Sequence, residues 1–278
     1  MTPADSPAGL IDDRLAHVRP TRRRQLRNAV AAEWVKARSV PSTWTALGTF
    51  TVIMLALSLV IPLTREVGDA AAAAQAGAQP VALALSGVFM GQVALALWGA
   101  LLVTGEFSSR SITTSTLAVP QRQVLLGAKA VLLVVMTAPL ALLITAAATA
   151  LGLAALDSRN VPVDAGDPAV VRAVCGGAVY LTLVAVLGLA AGAVLRSTAA
   201  AVVCLTGVLF LLPVLIGLLP ASIADTVSPW LPSQAGQAAI QLATPAGYLE
   251  PLSGVLVLFA YTLAALATGM YRVVKRDV

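Results

Sequence analysis

Six long apolar stretches dominate the sequence and constrain its fold more than any other feature. A helix needs about 20 apolar residues to cross a hydrocarbon core of about 30 Å. Each stretch is long enough, and a helix satisfies its own backbone hydrogen bonds, as lipid requires. The predicted spans, in chain order, are residues 44–63, 80–104, 124–156, 173–195, 197–219 and 251–271. The sequence therefore predicts an all-α membrane protein with six transmembrane helices.

Composition excludes a soluble domain. Of the 278 residues, 58% are hydrophobic and 11% are charged, whereas soluble domains carry about 25% charged residues. Cys175 and Cys204 lie inside apolar runs without the spacing of a metal site or a disulfide framework, so we interpret them as packing residues. His17 lies in a polar segment, where no partner for catalysis is evident.

The chain begins with a polar segment followed by an amphipathic pattern. Residues 1–24 contain three prolines and a run of arginines, which predicts a disordered basic tail, too polar to be a cleaved signal peptide. Residues 25–38 predict an amphipathic helix that lies in the membrane interface at the start of the 25–278 membrane domain. Its apolar stripe consists of Leu26, Ala29, Val30, Trp34 and Ala37. The basic residues Arg27, Lys36 and Arg38 flank this stripe.

Glu33 lies near the edge of this apolar stripe, one turn before Lys36. An intrahelical ion pair with Lys36 and a functional role are both compatible with that position.

A second ambiguous segment, residues 226–249, is uncharged but contains Pro229, Pro232 and Pro245. We interpret it as a short re-entrant or surface element rather than a seventh span.

Basic residues indicate the orientation. With six spans, fifteen Lys and Arg residues fall on the side of the two termini and three on the other. Because cytoplasmic loops are enriched in Lys and Arg, both termini are predicted to be cytoplasmic. The net charge of +5 is thereby explained without nucleic acid as a partner.

The sequence lacks the motifs that several classes of enzyme and transporter require. The sequence contains no phosphate-binding loop, no zinc-protease motif and no serine with a credible histidine base. No ionisable residue lies at the centre of a span, where ion-coupled transporters usually keep one. We therefore expect no enzymatic activity and no cofactor in this chain.

The segment between the second and third spans is the most informative one. It reads GEFSSRSITTSTLAVP over residues 105–120, with an abrupt change from apolar to polar at Glu106. Ser108 or Ser109 is suited to cap a short helix, and Pro120 to begin the next one. Two interpretations remain open: a short helix that docks a soluble partner, or an ordinary polar loop.

Four pieces of the sequence carry a family resemblance. They are EWVKARS at 33–39, STW at 42–44, GEFSSRSITTS at 105–115 and PSQAGQA at 232–238. Together they resemble the membrane subunits of type-2 ABC transporters, most closely the small stand-alone permeases common in actinobacteria. The pieces recur in the expected order over most of the chain, although residues 1–24 form a longer tail than such a permease needs.

This resemblance implies an exporter permease that pairs with a second copy or a paralogue. It also implies two copies of a cytoplasmic ATPase subunit, on which ATP and magnesium would be bound. The docking helix would be Ser108–Ala118, with Glu106 at the hinge before it. The docking residues implied are Glu106, Phe107, Ser108, Arg110, Ile112 and Leu117. The N-terminal interfacial helix would be 25–38, with Leu26, Val30, Glu33, Trp34, Lys36 and Arg38.

Two pairs of glycines permit close helix packing. Gly87 and Gly91 lie in the second span, and Gly188 and Gly192 lie in the fourth. Packing within the chain is favoured over a contact between two copies.

Two rival functions remain. The chain could be a membrane scaffold or immunity protein without transport activity, which would need no ATPase. It could also be an ion-coupled secondary transporter, although that class predicts an ionisable group at the middle of the membrane.

Overall fold

A computed structural model describes residues 22–64, 78–108, 122–161, 163–242 and 248–275. These residues form helices, and no strand occurs among them. The α-helices are α1 Arg22–Ser39, α2 Pro41–Thr64, α3 Ala78–Ala84, α4 Gly87–Ser108, α5 Arg122–Asp157, α6 Pro168–Leu195, α7 Thr198–Thr206, α8 Leu212–Gly217, α9 Ala221–Val227, α10 Pro232–Gln237 and α11 Pro251–Lys275. A π-helix, Gly207–Leu211, joins α7 to α8, and 3-10 turns at Ser228–Trp230 and Ala238–Ile240 flank α10.

Six helical segments of the described residues are long and apolar enough to cross a membrane, which confirms the predicted fold class. Span 1 is Pro41–Thr64, span 2 Pro80–Glu106, span 3 Gln123–Asp157, span 4 Pro168–Leu195, span 5 Thr198–Gly217 and span 6 Pro251–Arg272. Span 4 begins five residues earlier than predicted because Asp167 caps it: its carboxylate accepts a hydrogen bond from the Ala169 backbone N–H at 2.8 Å. Pro168 then occupies the first turn, where a missing N–H costs nothing.

Spans 2 and 4 form the centre of the bundle. Their most apolar windows are 61% and 67% buried, compared with 33% or less for the other four spans. Gly188 and Gly192 of span 4 lie against span 2: a Cβ at Gly188 would overlap the carbonyl oxygen of Ala96, and one at Gly192 would lie 2.8 Å from that of Ala100. The two helix backbones therefore approach each other as closely as small residues allow.

The second glycine pair brings span 2 against span 1. A Cβ at Gly87 would overlap the carbonyl oxygen of Met54, and one at Gly91 would lie 2.7 Å from the Met54 sulfur. All four glycines singled out in the sequence thus lie at contacts within one chain.

The segment before the last span inserts into the bundle. In α10 and the turn after it, Ala235, Gly236, Ala238 and Ala239 are buried, and Gly236 lies against the ring of Tyr180. Tyr180 is twelve residues along span 4, about 18 Å from its start. Among the described residues of 226–249, the short helices therefore pack inside the bundle against span 4 and the beginning of span 6, and no further span occurs among them.

Candidate functional site

Four charged side chains meet where α1, the end of span 2 and the beginning of span 3 come together. Lys129 Nζ donates to Glu33 Oε2 at 2.6 Å and to Glu106 Oε1 at 2.8 Å. Lys36 Nζ donates to the same Glu106 oxygen and to Glu33 Oε1, the latter at 3.5 Å. These two carboxylates and two ammonium groups, Glu33, Glu106, Lys36 and Lys129, are here called the ion network.

Three members of the ion network are removed from solvent. Glu33, Glu106 and Lys129 are 4%, 7% and 3% exposed, whereas the side chain of Lys36 is 40% exposed. Charges are rarely buried to this extent unless they are paired, because each loses its hydration on burial. Lys129 is the only buried cation among the described residues, so the two carboxylates depend on it.

Small residues bring α1 close enough for these contacts. Ala29, Glu33 and Ala37 recur at intervals of four along α1 and are all buried. Ala29 packs against Val124 and Ala128, which lie five residues and one residue before Lys129 on span 3. The ion network therefore continues an apolar seam between α1 and span 3.

The apolar stripe predicted for α1 is divided between two environments. Val30 is partly buried against the seam, but Leu26 and Trp34 are exposed. The face of α1 that packs against the protein is therefore rotated about the helix axis relative to the predicted apolar stripe. Arg38 is exposed, and its carbonyl oxygen accepts a hydrogen bond from Trp44 Nε1 at 3.1 Å. Exposed tryptophans on α1 and at the start of span 1 are typical of a membrane interface.

Lys36 remains a cation in this setting. Burial acts to lower its pKa, but the hydrogen bond to Glu106 and the negative charges of Glu33 and Glu106 act in the opposite direction. The net effect is a pKa above the usual 10.5. Lys36 is therefore protonated at physiological pH.

Glu106 lies within helix α4, which continues to Ser108. The hinge that the resemblance implies between span 2 and the docking helix stays a prediction, because the segment after Ser108 lies outside the described residues. Arg110, Ile112 and Leu117 lie outside the described residues, and the docking helix over 108–118 stays a prediction.

Lys129 is a site residue that the sequence did not predict, although it lies within the predicted third span, 124–156. The structure shows that it is buried. The reason is its paired environment: contacts with Glu33 and Glu106 allow a cation to enter the helix bundle. The sequence did carry a signal, since Lys129 interrupts the apolar run VLLGAKAVLLVV. The excess of cations on the predicted cytoplasmic side persists without it.

The ion network lies toward one end of the bundle. Span 3 has 35 residues and is about 52 Å long, and Lys129 lies about 17 Å from its midpoint. That distance is slightly more than half the thickness of a hydrocarbon core of about 30 Å. Glu106 is the last residue of span 2. The network therefore lies near a boundary of the apolar layer rather than at its centre.

No group of three or more His, Cys, Asp and Glu side chains in the described parts of the chain is arranged to hold a metal ion. No protein-family model matches the chain, and no curated protein matches it significantly.

Proposed function

We propose that this chain is the permease subunit of an ABC exporter in the bacterial plasma membrane, with both termini in the cytoplasm. ATP and magnesium would be bound by two copies of a separate cytoplasmic ATPase subunit. The transport path would form between this chain and a second copy or a paralogue. The six spans and the charge asymmetry of the sequence support the membrane part of this proposal.

The observation that carries the proposal is the ion network. It joins α1 to the two spans that precede and follow the predicted docking segment in the sequence, at the end of span 2 and the beginning of span 3. Residues 109–121 connect the last two of these directly. A partner that displaces this segment would move two spans and, through Lys129 and Glu106, also α1.

This arrangement suits the transmission of force rather than catalysis. Buried ion pairs hold a fixed geometry because separating them leaves charges without partners. Span 2 is packed along span 4 through Gly188 and Gly192, so a displacement at Glu106 would pass into the centre of the bundle. ATP binding in the partner would supply the free energy, since this chain has no phosphate-binding loop.

The proposal is tested by co-purification with candidate ATPases and by transport assays in proteoliposomes. Arg110→Ala removes a predicted docking residue that is not one of the four members of the ion network, whereas Glu106→Ala removes a residue that belongs to both sets. Arg27→Ala, an exposed position on α1, is the matched control. We expect Arg110→Ala and Glu106→Ala to reduce ATPase association and ATP-dependent transport, and Arg27→Ala to leave both intact.

The outcomes separate the rival functions. If Glu106→Ala and Arg110→Ala leave assembly and transport unchanged, the docking role is wrong. If no ATPase associates with the wild-type chain, a scaffold or immunity protein is favoured. Transport that collapses with the proton gradient and persists without ATP would favour an ion-coupled transporter.

A further inference from the structure

A cavity adjoins the ion network. It has a volume of about 320 Å³ and lies between α1, the beginning of span 1 and the end of span 2. The ion network forms one wall, and Trp98, Leu101 and Leu102 of span 2 form another. Small-molecule sites have volumes of about 300–1,000 Å³ and combine apolar walls with a few polar groups. The cavity has both properties.

Two polar atoms of residues that line this cavity have no hydrogen-bond partner among the described residues. Glu106 accepts both lysine hydrogen bonds through Oε1, which leaves Oε2 as an available acceptor. Trp98 is 1% exposed, and its indole Nε1 donates no hydrogen bond. A buried indole N–H normally has an acceptor, and leaving one without a partner costs about 1–3 kcal/mol. The cavity therefore offers one carboxylate acceptor and one N–H donor to a ligand.

The net charge of the cavity wall restricts the net charge of a ligand that can bind there. The ion network is neutral, with two carboxylates and two ammonium groups. A simple cation or anion would leave an unbalanced charge in a partly desolvated place, which is costly. A zwitterion avoids that cost, because its ammonium can donate to Glu106 while its anionic part lies beside Lys36. A primary ammonium donates hydrogen bonds to a carboxylate, whereas a trimethylammonium has no N–H to donate.

The depth of the cavity identifies the source of such a zwitterion. Span 1 begins and span 2 ends at this level, and the exposed tryptophans Trp34 and Trp44 lie on the adjoining turns. Tryptophan is enriched at the level of lipid headgroups. A group that reaches this cavity from the membrane is therefore a headgroup rather than an acyl chain.

We propose that the cavity binds the headgroup of phosphatidylethanolamine, with the ammonium on Glu106 Oε2 and the phosphate beside the Lys36 ammonium. Trp98 Nε1 supplies a further hydrogen bond to the phosphate oxygens. This site goes beyond the proposed permease function and does not depend on an ATPase partner.

The test uses the full chain in nanodiscs of phosphatidylcholine, titrated with dihexanoyl phosphatidylethanolamine and monitored by thermal unfolding. Parallel titrations use dihexanoyl phosphatidylcholine, dihexanoyl phosphatidylglycerol and soluble phosphoethanolamine. We expect saturable stabilisation by phosphatidylethanolamine and at least tenfold weaker binding of the other three. Equal binding of the choline or glycerol lipid would overturn the assignment of the ammonium, and equal binding of phosphoethanolamine would overturn a membrane source.

Trp98→Phe tests the location while leaving the ion network intact, and Trp230→Phe, at an exposed position outside the cavity lining, is its control. Loss of one hydrogen bond of about 0.5–1.5 kcal/mol corresponds to a rise in Kd of about 2–10-fold. We expect this rise for Trp98→Phe only. Glu106→Gln should abolish the preference for ethanolamine over choline, read as a ratio within one variant so that a change in basal stability cancels. An unchanged Kd in Trp98→Phe together with an unchanged preference in Glu106→Gln would overturn the site.

Discussion

Replacement of Lys129 by methionine is the most direct test of the ion network. Methionine keeps the length and apolar stem of lysine and removes only the ammonium group. The variant loses the hydrogen bonds of 2.6 Å to Glu33 and 2.8 Å to Glu106. Two buried carboxylates then share the single, half-exposed ammonium of Lys36.

The size of the effect follows from burial. Removing one partner of a buried ion pair destabilises a protein by about 3–5 kcal/mol, since the other charge stays buried. The Lys129 side chain is 4% exposed, so this range applies to it. Lys36 is 40% exposed, and pairs accessible to solvent contribute about 0–1 kcal/mol. Lys36→Met is therefore a matched control within the same network.

Thermal unfolding of the purified chain measures the difference. For proteins of this size, 1 kcal/mol shifts Tm by about 2–4 °C. Lys129→Met should lower Tm by about 6–20 °C and Lys36→Met by at most about 4 °C. The double variant Glu33→Gln/Lys129→Met restores charge balance, since Lys36 and Glu106 remain, and should recover at least half of the loss. Equal losses in the two lysine variants, or no recovery in the double variant, would refute the argument.

Two further predictions concern packing and pH. Gly188→Ala should lower the free energy of unfolding by about 1–3 kcal/mol, because the added methyl group overpacks against Ala96. Gly207→Ala, with open space around it, should leave stability unchanged or raise it. Thermal unfolding of the two variants measures the difference. Because the Lys36 pKa is raised above 10.5, its contribution to stability is fully present below pH 10.5 and is lost as the pH rises through the higher, folded-state pKa. The Tm difference between the wild type and Lys36→Arg, which stays charged, should therefore be constant from pH 7 to 9.5 and change only above 10.5; a change between pH 7 and 9 would contradict the raised pKa.

The spans were predictable because their signal is local. Each needs about 20 apolar residues in sequence, and the described helices reproduce all six with small shifts at the ends. The cause of one shift, the Asp167 cap, is also local and lay in the sequence as Asp-Pro before an apolar run. The two glycine pairs were recognisable for the same reason, since four-residue spacing places both glycines on one helix face.

The ion network could not be predicted because its partners are far apart in sequence. Glu33 and Lys129 are separated by 96 residues, and Lys36 and Glu106 by 70. A helical projection of α1 places Glu33 at the edge of the apolar stripe. In the fold, however, Glu33 lies on the buried line between Ala29 and Ala37. Local periodicity treats a carboxylate as polar, whereas an ammonium on another helix makes its burial possible.

This dependence on distant partners also bears on mechanism. The ion network attaches α1 to span 2 through Glu106 and to span 3 through Lys129 together. If a partner moved only one of these spans, at least one buried charge would lose its counterion, at a cost of about 3–5 kcal/mol. A concerted movement of α1, span 2 and span 3 keeps every pair intact. The low-energy motion available to this end of the bundle is therefore that of the three helices as one body.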